Sequence, residues 1–224
     1  MRYTWLLFDA DDTLFDFPQA EADALRLTFE ELGLPFHSGY TQIYKRCNQQ
    51  VWEAFERGAV TAAELRTRRF ALLFEEIRLP ADPQTVSPVY LRNLSLGSRL
   101  LDGAETVIRA LGGRYRLALV TNGLAEVQRP RLARSPLRDA FAHVFISEEI
   151  GAAKPHRDFF DHVFRALGNP PKSEVLLIGD SLTSDMAGGI GYGIDTCWYN
   201  PNGKTTDLPV TYEVRRLQAL AEML

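Results

Sequence analysis

Soft-metal and disulfide chemistry have little to work with in this chain: 224 residues carry two cysteines and four histidines. Cys47 and Cys197 stand far apart, and two lone cysteines fit reduced thiols of a cytoplasmic protein better than a disulfide framework. Cys197, in Thr196-Cys197-Trp198-Tyr199, reads as a buried strand residue. His37, His143, His156 and His162 show no metal-ligand spacing. Basic charge is not in excess either. Lys and Arg number 25 against 29 Asp and Glu, giving a net charge of −4 and a pI near 5.6. That balance excludes a general binder of nucleic-acid polymers or anionic membranes. Arg129, Arg131 and Arg134 form a short basic run, read as a solvated helix face. No apolar run approaches the ~20 residues of a membrane span, and Trp5 to Phe8 is too short for a secretory leader.

The most informative stretch is Trp5-Leu6-Leu7-Phe8-Asp9-Ala10-Asp11-Asp12-Thr13-Leu14. A short apolar run with a sharp polar stop reads as a strand buried in a parallel sheet. Ligands of open α/β sheets bind beyond the carboxyl ends of the strands, so Asp9 and Asp11 would stand at that crevice. Two carboxylates about 4 Å apart repel by roughly 4 kcal/mol in a partly shielded site. A cation or a proton must separate them.

Further along, strands are expected at Arg116–Val120, His143–Ile146, Glu174–Ile178 and Ile194–Tyr199. Helical stretches fall at Gly103–Leu111, Ala125–Arg134, Arg157–Leu167 and Thr183–Ile190. This alternation predicts an α/β fold with a doubly wound, mostly parallel sheet. The region from Asp16 to Leu96 breaks the rhythm. It carries helical periodicity at Gln19–Leu32, Tyr40–Phe55, Ala62–Ile77 and Pro83–Leu94, with a capping box at Thr61 and Glu64. We read it as a helical cap over residues 17–96, inserted into a core of residues 1–16 and 97–224. Asp16–Pro18 and Leu96–Leu101 are the expected hinges. Gly188-Gly189-Ile190-Gly191-Tyr192-Gly193 tempts a dinucleotide reading, but a helical stretch precedes it, and close helix–sheet packing is the better account.

Four polar clusters end the strands in chain order: Asp9-Ala10-Asp11-Asp12-Thr13, Thr121-Asn122-Gly123, Lys154-Pro155, and Gly179-Asp180-Ser181 with Asp185. The ordered set, with the helical block after the first cluster, resembles the haloacid dehalogenase superfamily of aspartate-dependent phosphatases and their small helical cap. On that likeness Asp9 is the nucleophile forming an aspartyl-phosphate, and Asp11 is the acid for the leaving oxygen and then the base for water. Thr121, Asn122 and Lys154 hold the phosphoryl group. Asp180 binds a metal, Asp185 supports it, and Asp9 and the Asp11 backbone carbonyl complete the set. An all-oxygen ligand set with excess negative charge selects a hard cation, Mg²⁺ being the expected one. Asp12 reads as structural.

Phe15 and Phe17, Trp52 with Gly58 and Thr61, Arg69-Phe70, Ile146-Ser147-Glu148-Glu149, Gly168-Asn169-Pro170 and Thr196-Cys197-Trp198 look closest to the pyrimidine 5′-nucleotidases of that superfamily. The likeness implies a small phosphorylated metabolite, a nucleoside 5′-monophosphate, as substrate, with a monomer or weak homodimer as the working unit. Phe17, Tyr44 and Trp52 are candidates to stack on a base, and Arg46 or Arg69 to reach its polar groups. Trp52 and Phe70 are equally candidates for cap core. A phosphoglycolate or sugar phosphatase, a sugar-phosphate mutase, a 2-haloacid dehalogenase and a phospho-accepting signalling domain are the alternatives. The dehalogenase needs neither Asp11 as acid nor a metal, and receiver domains carry no cap.

Overall fold

The computed structural model describes residues 2–224. Strand β1 (Trp5–Phe8) is buried at every position, as its uninterrupted apolar run requires. It lies between β2 (Arg116–Thr121) and β4 (Val175–Gly179) in a six-stranded sheet of order β3-β2-β1-β4-β5-β6. β3 spans His143–Ile146, β5 Asp195–Tyr199 and β6 Tyr212–Val214. All neighbouring pairs are parallel. The order reverses direction between β1 and β4, and Phe8 pairs there with Ile178. Such a reversal opens a crevice at the carboxyl ends of the strands. Helices α5 (Ala104–Gly112), α6 (Ala125–Arg134), α7 (Ser147–Ile150), α8 (Arg157–Ala166), α9 (Ala187–Tyr192) and α10 (Ala219–Met223) belong to the sheet unit. Two apolar clusters form around the sheet, one containing Leu6 and Phe8, the other Trp5 and Leu7. Alternate residues of β1 thus serve opposite faces.

Between β1 and α5 the chain forms four helices, α1 (Phe17–Glu31), α2 (Tyr40–Glu56), α3 (Ala62–Ile77) and α4 (Pro83–Leu94). Their apolar faces build a third cluster around Phe29, Tyr44, Phe70 and Tyr90, joined by Leu124 and Val127 of the sheet unit. The ends are set locally. The Thr61 hydroxyl accepts from the Glu64 backbone N–H while the Glu64 carboxylate accepts from the Thr61 N–H, so the capping box at the start of α3 forms. Asp16 and Asp82 cap α1 and α4. The segments linking this block to the sheet unit are tied to each other: the Asp16 N–H donates to Arg99 O at 3.0 Å and Leu101 N–H to Leu14 O at 2.9 Å.

Three expectations change. Thr183–Ile190 is not one α-helix: a π-turn over Leu182–Met186 precedes α9. α7, β6 and α10 have no counterpart in the periodicity reading. The basic run of α6 is not one solvated face, because Arg131 is fully buried while Arg129 and Arg134 are exposed. The glycine run packs as read: a Cβ at Gly189 would come within 2.5 Å of Thr196 Cγ2, so α9 lies against β5 only because that side chain is missing. Both cysteines are free and buried. Among the described residues, no helix is long and apolar enough to cross a membrane.

Candidate active site

β1 and β4 end side by side at the reversal, and the first residue past β1 is locked there: the Asp9 N–H donates to Ile178 O at 2.9 Å. The Asp9 side chain therefore points into the same space as the residues that follow β4. Carboxylate oxygens of Asp9, Asp180 and Asp185 all lie within 4.8 Å of one another. Gly179 makes room for this, since a Cβ there would sit 2.3 Å from Asp185 Oδ2. The Ser181 N–H donates to that same Oδ2 at 3.2 Å, and Trp198 Nε1 donates to Asp180 O at 2.9 Å.

Lys154, 1% exposed, is the cation of the cluster. Its Nζ donates to Asp9 Oδ1 and Asp185 Oδ1, both at 2.7 Å, and to Val120 O at 2.8 Å. Asn122 fixes the lysine from behind: Nδ2 donates to Lys154 O at 2.8 Å, and Oδ1 accepts from the Lys154 N–H at 2.9 Å. Thr121, at the end of β2, is buried beside them.

The electrostatics follow from burial. Desolvation raises the Asp9 carboxyl well above its ordinary value against the pull of Lys154, with Asp185 and Asp180 adding to the rise. Desolvation, then Asp185 and Asp12, push Asp180 up to about 7. Burial by itself would lower Lys154, but Asp185 and Asp9 outweigh it and the ammonium is held charged. Three close carboxylates against one ammonium leave an anionic nest. Its donors are all oxygens, which suits a hard divalent ion and no soft one.

Asp11 is gripped from α6. Arg131 Nη1 donates to Asp11 Oδ1 at 2.5 Å and Gln128 Nε2 to Oδ2 at 2.7 Å. Arg131 Nε reaches back to Gly97 O at 2.9 Å, in the second linker of the helical block, and its guanidinium lies 4.8 Å from the Phe15 ring centroid. Neither Arg131 nor Gln128 was among the sequence candidates. A signal existed: Arg131 follows Val127 by four residues, which puts both on one helix face, whereas Arg129 points elsewhere.

A cavity of about 310 Å³ joins the two halves. Asp9, Asp11, Thr121, Asn122, Lys154, Asp180 and Asp185 line its sheet end, and Phe17, Trp52 and Arg69 line its helical end. All ten sequence candidates thus share one space. Two others do not. Tyr44 is fully buried against Phe70 and Tyr90, out of reach for stacking. Arg46 is exposed and pairs with Glu76 at 2.5 Å. Phe70 is cap core, whereas Trp52 is half-buried at the cavity wall. Glu56 also lines the cavity: its carboxylate accepts from Asn122 Nδ2 at 3.4 Å, and its backbone carbonyl meets His156 Nε2 at 2.8 Å.

A parallel sheet with an acidic nest at its reversal, under an inserted helical block, defines a class of α/β hydrolases built on a strand-end aspartate. Residues 3–193 match the haloacid dehalogenase-like hydrolases, and the chain belongs to that family. It is 41% identical to the HAD-hydrolase YfnB of Bacillus subtilis, covering 100% of this chain and 96% of that one. It is 34% identical to the pyrimidine 5′-nucleotidase YjjG of Escherichia coli (100% and 99% covered) and 37% identical to the pyrimidine 5′-nucleotidase PynA of Streptococcus pneumoniae (100% and 96%). The crystal structure of YfnB bound to magnesium superposes with a TM-score of 0.93, covering 100% of this chain and 99% of that one.

Proposed function

We propose that the protein is a Mg²⁺-dependent phosphate monoester hydrolase acting on nucleoside 5′-monophosphates, with a preference for pyrimidines. The observation that carries the reading is the clustering of Asp9, Asp180 and Asp185 around Lys154 at the sheet reversal. The two pyrimidine 5′-nucleotidases matched over their full length support the substrate class.

Asp9 is the nucleophile. Lys154 holds its carboxylate in place, and an Asp9 oxygen attacks phosphorus to form an aspartyl-phosphate. The bond from phosphorus to the 5′ oxygen breaks, and Asp11 gives that oxygen its proton. Water then attacks the phosphorus of the intermediate while Asp11 takes its proton, which frees inorganic phosphate and restores Asp9. The Thr121 hydroxyl and the Asn122 backbone N–H serve the phosphoryl oxygens, and Lys154 offsets the charge that develops on them. Asp9, Asp180, Asp185 and the Asp11 carbonyl would hold the Mg²⁺, which when bound neutralises the nest and the substrate's charge. Residues 17–96 act as a cap over a core of residues 1–16 and 97–224, excluding water during attack and opening for product. Two buried free thiols fit a reducing, cytoplasmic setting.

Phosphate release from a panel of nucleoside monophosphates and sugar phosphates tests this reading directly. Turnover should vanish on chelation, return with Mg²⁺, and be highest on pyrimidine nucleotides. Full activity after exhaustive chelation would remove the metal from the scheme, and release from haloacids in place of phosphate esters would reject it altogether.

A further inference from the structure

The cap contains a buried cation with most of its hydrogen-bonding capacity unused. Arg69, on α3, is 2% exposed. Its Nη1 donates to Asn48 Oδ1 at 3.2 Å, and Asn48 Nδ2 donates in turn to Glu21 Oε1 at 2.7 Å. The carboxylate thereby fixes the amide, and the amide fixes the guanidinium. The Tyr90 and Phe70 rings stand 5.1 and 5.6 Å from the guanidinium carbon. Nε and Nη2 have no acceptor among the described residues. A buried donor left unmade costs about 1–3 kcal/mol, more when charged, so a structural role alone does not account for this arginine. A methionine would fill the space without that cost.

Two further facts point to what completes it. Arg69 lines the same cavity as Asp9, together with Phe17, Trp52, Leu91 and Leu94, which supply apolar walls. Nε–H and Nη2–H lie on one edge of the planar guanidinium, a fork suited to paired acceptors. We propose that Arg69 is the specificity residue of this site, its free edge donating to a carbonyl oxygen of a planar base carried by the leaving group, with Phe17 and Trp52 beside the ring. This rests on the nucleotidase reading and extends it to a stated chemistry. Uracil and cytosine both carry a carbonyl oxygen, whose lone pairs can take these donors. Adenine carries no carbonyl, and its N6 amino donor beside N7 would meet the arginine donor to donor.

The test compares kcat/KM for UMP with that for ribose 5-phosphate, which keeps the sugar and the reacting group but lacks the base. Wild type should favour UMP over both AMP and ribose 5-phosphate. Arg69→Met should lower kcat/KM for UMP by about 10- to 100-fold, chiefly through KM. Ribose 5-phosphate should change by less than about 3-fold, and the preference for UMP over AMP should shrink. Should Arg69→Met fail to fold, Arg69→Lys carries the test: it keeps the charge, loses the fork, and should still cut the UMP to ribose 5-phosphate ratio by at least about 5-fold. An equal loss on both substrates, or no loss on UMP, overturns the assignment while leaving the nucleotidase reading standing. A wild-type enzyme that prefers ribose 5-phosphate to every nucleoside monophosphate rejects that reading before any substitution is made, and the base-reading role falls with it.

Discussion

Lys154 and Arg69 are both buried cations on one cavity, and their surroundings could hardly differ more. Lys154 Nζ has three acceptors within 2.8 Å, two of them carboxylates. Arg69 has one neutral acceptor and two idle nitrogens. The sheet end of the cavity is assembled before substrate arrives, whereas the helical end is incomplete without it. This is the division expected when one end performs fixed chemistry and the other chooses what is processed.

The sharpest way to probe the preassembled end is Asp9→Asn. The amide oxygen can still accept from Lys154, so the fold should survive while turnover falls by at least about 10⁴-fold, the loss that the proposed covalent role of Asp9 requires. Phosphate release together with a thermal melt checks both halves; retained turnover would take the nucleophile away from Asp9. Lys154→Met comes next. It strands Asp9 and Asp185 beside each other without their ammonium, which should cost about 3–5 kcal/mol of stability and roughly 10³-fold in kcat. Arg69→Met, by contrast, should be neutral or stabilising in a denaturant melt. If the two methionine variants lose similar stability, the contrast between a satisfied and an unsatisfied cation is empty.

How far the chain announces this arrangement depends on the length of each signal. Strand β1 and its stop at Asp9 are plain because four apolar residues precede three carboxylates within a few positions. The four cap helices declare themselves through their period and through Thr61, Asp82 and the prolines that start them. β6, with three residues, and α10, with five, are too short to show any period. The π-turn at Leu182–Met186 has helical composition and differs only in hydrogen-bond spacing, which no residue type encodes. Arg131 was hidden for another reason. Its partner Asp11 lies 120 positions away, and a helix with arginines at 129, 131 and 134 reads as polar until the fold buries one of them.

That arginine supplies the next test. Arg131 holds Asp11 and the Gly97 carbonyl with one guanidinium, so it joins the residue proposed for proton transfer to the second linker of the helical block. Arg131→Met should release Asp11, lower kcat on UMP by about 10- to 100-fold and leave KM within about 3-fold. Because Gln128 still donates to Oδ2, the double variant with Gln128→Ala should lose more than either alone. An unchanged kcat, or a change confined to KM, would show that Arg131 merely fills space under the cap.

The smallest effect concerns Glu21, the residue that anchors the Arg69 network. Burial pushes its carboxyl up to about 7, with the Asn48 hydrogen bond and the charges of Lys45 and Arg69 opposing the rise. In the unfolded chain it titrates at its ordinary 4.5. Between those values the folded state binds more proton than the unfolded state, so this group's contribution to stability is intact below pH 4.5 and is lost as pH rises towards 7. Asp12, raised to about 6, and Asp180, raised to about 7, slope the same way, so the wild-type curve alone cannot isolate Glu21. The difference between wild type and Glu21→Gln can, since Asp180 cancels and Asp12, whose charge also raises Glu21, enters only as the smallest of its causes. Glutamine keeps an acceptor for Asn48. The variant should gain about 1–3 kcal/mol on wild type in going from pH 5 to pH 8, while its preference for UMP stays within about 3-fold. Parallel stability curves would mean that Glu21 is charged and solvated when folded, and the cap's buried relay would then lack the anchor on which the orientation of Arg69 depends.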